Sequence, residues 1–148
     1  MQIAEILTPA RVAVSSGISS KKGVLEELAR LIAEDTSDLT QTEIFDSLCA
    51  RERLGSTGLG HGVAIPHGRL KGGKQTLGAF IQLHDGVDYD AVDQQPVDLL
   101  FALLVPEEST DEHLQILARL AEMFSDTDLV ARLRRASSSN RLYELLKD

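Results

Sequence analysis

The run VDLLFALLV, residues 97–105, is almost continuously apolar and is followed directly by Pro106. A strand that alternates apolar and polar residues keeps one face in water, whereas an unbroken apolar run is typical of a strand buried on both faces. The run therefore predicts a central strand with a layer of other elements on each side.

Helical and strand-like patterns alternate around this central run. The segments RVAV at 11–14 and LGAFIQL at 77–83 predict two further strands. Apolar residues at helical spacing predict helices over residues 20–34, from 40 to about 53, from 110 onward, 127–135 and 139–147. The alternation predicts a single α/β (α+β) domain over residues 1–148, with a central sheet covered by helices on both faces.

Polar residues mark where these helices begin. A serine at 19–20 can cap the first helix, and Thr40 followed by Glu43 fits a capping box. Thr110 is the predicted N-cap of the helix after the central strand. The three serines at 137–139 are too short for a linker and are interpreted as a turn with a helix cap.

The composition excludes several classes of protein. The chain has 148 residues, 43% of them hydrophobic, and no apolar run near the roughly 20 residues of a membrane helix. Glu5 interrupts the apolar N-terminus, which argues against a signal peptide and for a cytoplasmic protein. A net charge of −8, no tryptophan and 4% aromatic residues argue against nucleic-acid binding. The single Cys49 excludes an intrachain disulfide and is interpreted as a small apolar residue of a helix.

The stretch GLGHGVAIPHGRL, residues 58–70, is rich in glycine and holds two histidines. Glycine loses more backbone entropy on folding than any other residue, so the segment needs a turn, a close backbone approach or a ligand. A P-loop does not fit, because His61 stands where the lysine would be. A dinucleotide fingerprint does not fit either, because Gly58, Gly60 and Gly62 alternate and the segment follows a helix.

The residue spacing also argues against two other kinds of site, a zinc site and a serine hydrolase nucleophile. The histidines at 61, 67, 84 and 113 form neither an H-E-x-x-H pair nor a cluster with cysteine, which argues against a zinc site. No G-x-S-x-G motif is present, so a serine hydrolase elbow is excluded.

A phosphohistidine fits the stretch physically. A neutral imidazole can accept a phosphoryl group if one ring nitrogen is exposed and a hydrogen bond to the other fixes the tautomer. Val63-Ala64-Ile65 predicts a short buried strand, which Pro66 would end so that His67 emerges at the strand end, with Gly68 leaving the approach open. The same pattern is equally compatible with a structural hairpin.

The individual residues resemble a known signature. Glu52, then Leu59-Gly60, then VAIPHG at 63–68 follow the active-histidine signature of enzyme IIA domains of the mannitol–fructose class, which belong to the bacterial phosphoenolpyruvate-dependent phosphotransferase system. The resemblance continues in RERLGSTG before the signature and in VDQQPVDLLFALLVP and HLQILARLA after it. GSTGLGHGVAIPHG and QPVDLLFALLVP are most similar to the nitrogen-regulatory branch.

The resemblance implies a mixed β-sheet flanked by helices and an active site of three side chains. His67 would be the phosphoryl acceptor, and His113 and Arg51 would stabilise the phosphate. A helix start at His113 would favour a neutral ring and attract phosphate, and the guanidinium fork of Arg51 suits phosphate oxygens. The direction of Arg69, two residues past His67, stays open.

A phosphate-binding loop is predicted from the residues around the signature. Ser56, Thr57, Gly60 and Gly68 are its members, although Ser56 and Thr57 are equally suited to shaping the turn. His61 stands where the branch has a small amide residue, and it is interpreted as a surface side chain.

The resemblance implies a phosphocarrier of the nitrogen-regulatory phosphotransferase system. It would take its phosphoryl group from an HPr-like histidine phosphocarrier and regulate target proteins, such as transporters or kinases, by phosphorylation-dependent binding. No metal or organic cofactor is expected, and neither nucleic acid nor membrane insertion. Two alternatives stay open: a fructose- or mannitol-type enzyme IIA that donates to a sugar-transport enzyme IIB, and a protein-binding module that never carries phosphate.

Overall fold

The computed structural model describes residues 2–109 and 111–147, which fold into a six-stranded sheet flanked by helices. The strands are β1 (Val12–Ser15), β2 (Gly58–Gly60), β3 (Val63–Ala64), β4 (His67–Leu70), β5 (Leu77–Val87) and β6 (Val97–Pro106). The helices are α1 (Ile3–Ile6), α2 (Lys21–Glu34), α3 (Gln41–Glu52), α4 (Asp111–Phe124), α5 (Thr127–Arg135) and α6 (Ser139–Leu146), with a short 3₁₀ turn at Pro9–Arg11.

Strand β6 lies inside the sheet, as its apolar run predicts. It pairs antiparallel with β5 on one side, and β5 in turn pairs parallel with β1. On its other side β6 pairs parallel first with β3 and then with β4, while β2 pairs antiparallel with β3. The sheet is therefore mixed, which confirms the fold that the resemblance implies.

The side chains of β6 alternate between two hydrophobic clusters. One cluster contains Leu100, Ala102 and Leu104 together with α2 and α3. The other contains Leu99, Phe101, Leu103 and Val105 together with α1 and α4 to α6. These seven β6 residues are at most 1% exposed, so the central strand is buried on both faces and the predicted helix layers are present on both sides.

Most of the predicted helix starts are confirmed. The Ser20 hydroxyl accepts a hydrogen bond from the Gly23 N–H at 3.0 Å, and Thr40 and Glu43 form the predicted capping box. Ser138 caps α6 by accepting from the Arg141 N–H. The predicted N-cap Thr110 lies outside the described residues.

Two predictions of strand bounds need correction, and three short elements had no prediction. Residue 11 belongs to the 3₁₀ turn rather than to β1, because the buried Arg11 guanidinium donates to the carbonyls of Ile6 and Gly78 and pairs with Asp35. Strand β5 runs on to Val87, beyond the predicted end at residue 83, so it also contains His84. The short elements α1, β2 and β4 carry too few residues for a periodic signal and were not predicted.

His67 lies at the start of a strand, not at the end of one as predicted. The proline before it lacks an N–H, but its carbonyl accepts from the Leu103 N–H at 2.9 Å. Pairing with β6 therefore continues across Pro66, and His67 is the first residue of β4, opposite Leu103.

Gly68 provides close packing rather than an open approach. It is buried, and a Cβ at this position would overlap the Ser47 hydroxyl of α3 and lie 2.9 Å from the Ser47 carbonyl oxygen. Glycine is required here because the backbones of α3 and β4 approach each other.

Replacing Gly68 with alanine is therefore expected to destabilise the fold by about 1–3 kcal/mol, the usual range for overpacking. The double variant Gly68→Ala/Ser47→Ala removes the overlapping hydroxyl but not the backbone contact, so it should recover only part of the loss. Urea unfolding followed by circular dichroism measures both. Wild-type stability in Gly68→Ala would contradict the close approach.

Candidate active site

An open cleft of about 460 Å³ lies where α3, β4 and the first turn of α4 meet. Its position follows from the sheet, because β4 is held beside β6 and α3 packs on β4 through Gly68. We call it the histidine cleft. It is lined by Ser47, Ala50, Arg51, Leu54, His67, Gly68, Arg69 and His113.

The ring of His67 is held in one orientation by its own backbone neighbourhood. Its Nδ1 lies 2.8 Å from the Ile65 carbonyl oxygen. Because a carbonyl can only accept, Nδ1 carries the proton of the neutral ring, and Nε2 keeps a free lone pair. The half-buried ring is therefore prepared to act as a nucleophile through Nε2.

His113 faces His67 from the opposite wall. It is the third residue of α4, and its ring centroid lies 5.4 Å from that of His67 with the ring planes at 77°. His113 is 6% exposed, and its Nδ1 has no hydrogen-bond partner among the described residues. A buried ring nitrogen without a partner is rare in folded proteins, and here it belongs to a residue that lines the cleft.

Both rings are held neutral near pH 7. Burial is the main cause that lowers the pKa of His67; the Ile65 carbonyl raises it, Arg51 lowers it and Glu52 raises it, with a net lowering. Burial is also the main cause that lowers the pKa of His113, and positive charge on the His67 ring, when it is protonated, and on Arg69 lowers it further. A neutral imidazole is the reactive form toward a phosphoryl group, and it can still donate one hydrogen bond.

Two arginines give the cleft its positive charge. Arg51 extends from the last turn of α3, and its Nη1 donates to the Gly55 carbonyl at 2.8 Å. Arg69 lies two residues after His67 in β4, so both side chains leave the same face of the strand. Had β4 been predicted as a strand, the two-residue repeat of its side chains would have placed Arg69 on the same face as His67.

The other predicted loop residues lie elsewhere. Ser56, Thr57 and Gly60 do not line the histidine cleft. The Ser56 hydroxyl donates to the Tyr89 carbonyl at 2.9 Å, and Gly60, at φ +92°, lies beside Asp93. These contacts shape the turn, which was the alternative for Ser56 and Thr57.

A buried polar cluster supports the end of α3 beneath the cleft. The Glu52 carboxylate, 5% exposed, accepts from the backbone and hydroxyl of Thr57 and pairs with Lys21 at 2.9 Å. The Lys21 ammonium also lies 4.4 Å from the centre of the Tyr89 ring. Burial and the Glu52 charge raise the pKa of Tyr89 far above its ordinary value. Glu52 thus links the last turn of α3 both to the segment that contains Thr57 and to Lys21 of α2.

His61 belongs to a different cleft. Its exposed side chain lies with Asp98 and Arg134 in a pocket that shares no residue with the histidine cleft. The His61 backbone, at φ +57°, is held by Asp93 at its N–H and by Arg134 at its carbonyl. The prediction of a surface side chain is confirmed.

Comparison with known proteins identifies the family. The family model described as "Phosphoenolpyruvate-dependent sugar phosphotransferase system, EIIA 2" matches residues 5–148, and the chain belongs to this family. A nitrogen regulatory protein from Pseudomonas aeruginosa is 46% identical over 148 residues, which cover 100% of this chain and 96% of the relative.

Solved structures agree with this assignment. The crystal structure of the nitrogen regulatory protein IIA-Ntr from Neisseria meningitidis superposes with a TM-score of 0.89 at 46% identity, covering 97% of this chain and 98% of that one. The crystal structure of IIA mannitol from Escherichia coli superposes with a TM-score of 0.75 at 21% identity, covering 95% and 98%, which shows a shared fold.

Three further features of the described residues bear on the possible functions. Their histidines, cysteines and carboxylates form no group of three that could hold a metal ion. None of the helices in residues 2–109 and 111–147 has the length and hydropathy to cross a bilayer. Cys49 is half-buried in α3, and burial raises the pKa of its thiol, so it is a poor nucleophile.

The charges around the rings predict how the two histidines titrate. Arg69→Gln removes a positive charge that disfavours the His113 imidazolium, so the pKa of His113 should rise. Arg51→Gln should raise the pKa of His67 for the same reason. NMR titration of the ring resonances measures both values, with the exposed Lys71→Gln as a control that leaves them unchanged. An unaltered His113 titration in Arg69→Gln would show that the guanidinium does not act on this ring.

Proposed function

We propose that the chain is a cytoplasmic phosphocarrier of the nitrogen-regulatory phosphotransferase type, with His67 as its phosphoryl acceptor. The observation that carries the proposal is the His67 ring, whose Nδ1 is fixed by the Ile65 carbonyl while Nε2 stays unprotonated in an open cleft. The similarity to nitrogen regulatory proteins over the whole chain supports the choice of branch.

The transfer step needs no metal or organic cofactor. Nε2 of His67 attacks the phosphorus of a phosphohistidine on an HPr-like donor, a new N–P bond forms, and the donor's N–P bond breaks to release its neutral imidazole. The His67 ring gains positive charge as the bond forms. The Ile65 carbonyl, which accepts from Nδ1–H at 2.8 Å, stabilises that charge.

The remaining residues of the histidine cleft stabilise the phosphoryl oxygens. Arg51 and Arg69 supply guanidinium donors that suit phosphate geometry. His113 offers one N–H as a donor, since its ring is neutral and its Nδ1 has no other partner among the described residues. These groups are in place before the phosphate arrives, so they favour the transition state without reorganisation.

Regulation follows from the same cleft. Leu54 and Leu114 are 83% and 64% exposed, and Leu54 lines the cleft while Leu114 follows His113. A phosphoryl group on His67 would place negative charge in the cleft that the apolar Leu54 lines. We propose that target proteins such as transporters or kinases distinguish the phosphorylated from the unphosphorylated chain through this added negative charge.

The acceptor is tested by supplying phosphoenolpyruvate, the first phosphotransferase enzyme and an HPr-like donor. Wild-type protein should gain one acid-labile phosphate by mass spectrometry, and His67→Ala should gain none while keeping its circular dichroism spectrum. His61→Ala is the matched control and should label fully. A wild-type chain that never gains phosphate would favour the pure binding module, and full labelling of His67→Ala would move the acceptor elsewhere.

His113 is expected to assist without carrying the phosphate. His113→Ala should still be labelled at His67, but about a hundredfold more slowly, which is the usual cost of losing one preorganised donor. His113→Gln keeps a donor of similar reach and should recover part of the rate. Rapid-quench measurement of transfer from the phosphorylated donor gives both rates. Wild-type forward and reverse rates in His113→Ala would remove the residue from the site.

A further inference from the structure

A third cleft, of about 300 Å³, lies at the junction of α5 and α6, and we call it the arginine cleft. It shares no lining residue with the histidine cleft. It is lined by Arg132, Arg135, Ala136, Ser137 and Arg141. None of the five is acidic, and three are cations.

The charge of this segment contrasts with that of the chain. Residues 129–143 contain four arginines and neither aspartate nor glutamate, although the net charge of the protein is −8. Arg134 turns away to Asp98 and the His61 carbonyl, and Arg132 makes an exposed ion pair with Asp128 at 3.1 Å. Within residues 2–109 and 111–147, no ion pair involves Arg135 or Arg141.

Carbonyl capping does not account for the arginines, although the place of Arg132 and Arg135 in the last turn of α5 suits the negative end of its dipole. Cations are often found in the last turn of a helix because they interact with its free carbonyls. At the end of α5, however, the buried Gln82 amide already donates to the carbonyls of Leu133 at 2.6 Å and Ala136 at 2.8 Å. The Ala136 N–H in turn donates to the Arg132 carbonyl.

Arg141 opposes the local electrostatics of its own helix. Ser138 is the N-cap of α6, so Arg141 is the third residue of the first turn, where the helix dipole is positive. A cation there is unfavourable, and two further guanidinium groups converge on the same cleft. An anion in the cleft would offset both effects. The unfavourable place of Arg141 in the first turn of α6 is therefore consistent with an anionic ligand in the cleft.

We propose that the arginine cleft binds a small free diphosphate, meaning a ligand with two linked phosphoryl groups. Guanidinium forks bind phosphoryl oxygens in pairs, and Arg135 and Arg141, which have no ion pair among the described residues, suit a group that carries a charge of about −3 near neutral pH. The volume is at the lower end of the range for small-molecule sites. The Ser137 hydroxyl adds a neutral donor to the lining.

The test is a titration of the ¹⁵N-labelled full chain with inorganic pyrophosphate at constant ionic strength, followed by amide chemical shifts. Saturable shifts should centre on residues 132–141, and sodium chloride should not reproduce them. Arg135→Gln/Arg141→Gln should weaken binding at least about tenfold, since two charge-assisted contacts are lost. Lys22→Gln/Lys74→Gln removes the same charge from exposed positions outside the cleft and should bind like wild type.

Arg141→Gln alone keeps the proposal testable if the double variant does not fold. Without ligand it should melt at or slightly above the wild-type temperature, because a cation leaves the positive end of α6. With pyrophosphate it should gain less thermal stability than wild type. Three results would overturn the proposal: shifts centred on His67, no saturation up to about 10 mM pyrophosphate, or equal shifts with a hexaglutamate peptide, which would point to an acidic protein segment instead.

Discussion

The hydrogen bond from the Leu103 N–H to the Pro66 carbonyl holds the site together. It lets two short strands, β3 and β4, pair with one long buried strand even though a proline lies between them. The pairing fixes the backbone on both sides of His67, so the Ile65 carbonyl is in place to orient the ring at 2.8 Å. It also fixes Gly68, on which α3 packs. His67 therefore lies at the start of a strand of the central sheet, and functional groups on such elements are positioned more precisely than groups on loops.

The titratable and charged side chains at this site form two groups, an outer one that lines the cleft and an inner one at the end of α3. The outer group contains the neutral imidazoles of His67 and His113 with two arginines, and burial is the main cause of the low pKa of both rings. The inner group contains the Glu52 carboxylate with Lys21 and Thr57. Glu52 slightly opposes the lowering of the His67 pKa, while Arg51 reinforces it. In the function proposed above, the arginines would attract a phosphoryl group while His67 stays unprotonated, whereas additional carboxylates around the ring would favour its protonated form.

Much of the fold could be predicted from the sequence because its strongest signals are periodic. The continuous run at 97–105 located the central strand, and the capping box at Thr40 and Glu43 located the start of α3. The short strand β4 could not be predicted, since four residues that include glycine and arginine carry no clear alternation. Because β4 was not predicted, His67 was expected at a strand end and the direction of Arg69 stayed open.

The structure brings His67, His113 and Arg51 to one cleft, as the resemblance implied, because β4, α4 and α3 converge there. Two contacts of the segment that was predicted as a phosphate loop, Ser56 with Tyr89 and His61 with Asp93, join residues more than 30 positions apart, so sequence spacing does not encode them.

The glycines of 58–70 illustrate how such a segment can be misinterpreted. A glycine-rich stretch beside a histidine suggests bare N–H groups around an anion. In the structure the need for glycine has a different origin at each of two positions. Gly62, at φ +82°, adopts a backbone conformation that favours glycine, and a side chain there would meet Arg134. Gly68 permits contact between α3 and β4. The entropic cost of the glycines is thus offset by packing and by the turn, and the donors available to a phosphate come from the guanidinium and imidazole groups of the histidine cleft. The chemistry of the site therefore depends on side chains whose positions these glycines make possible.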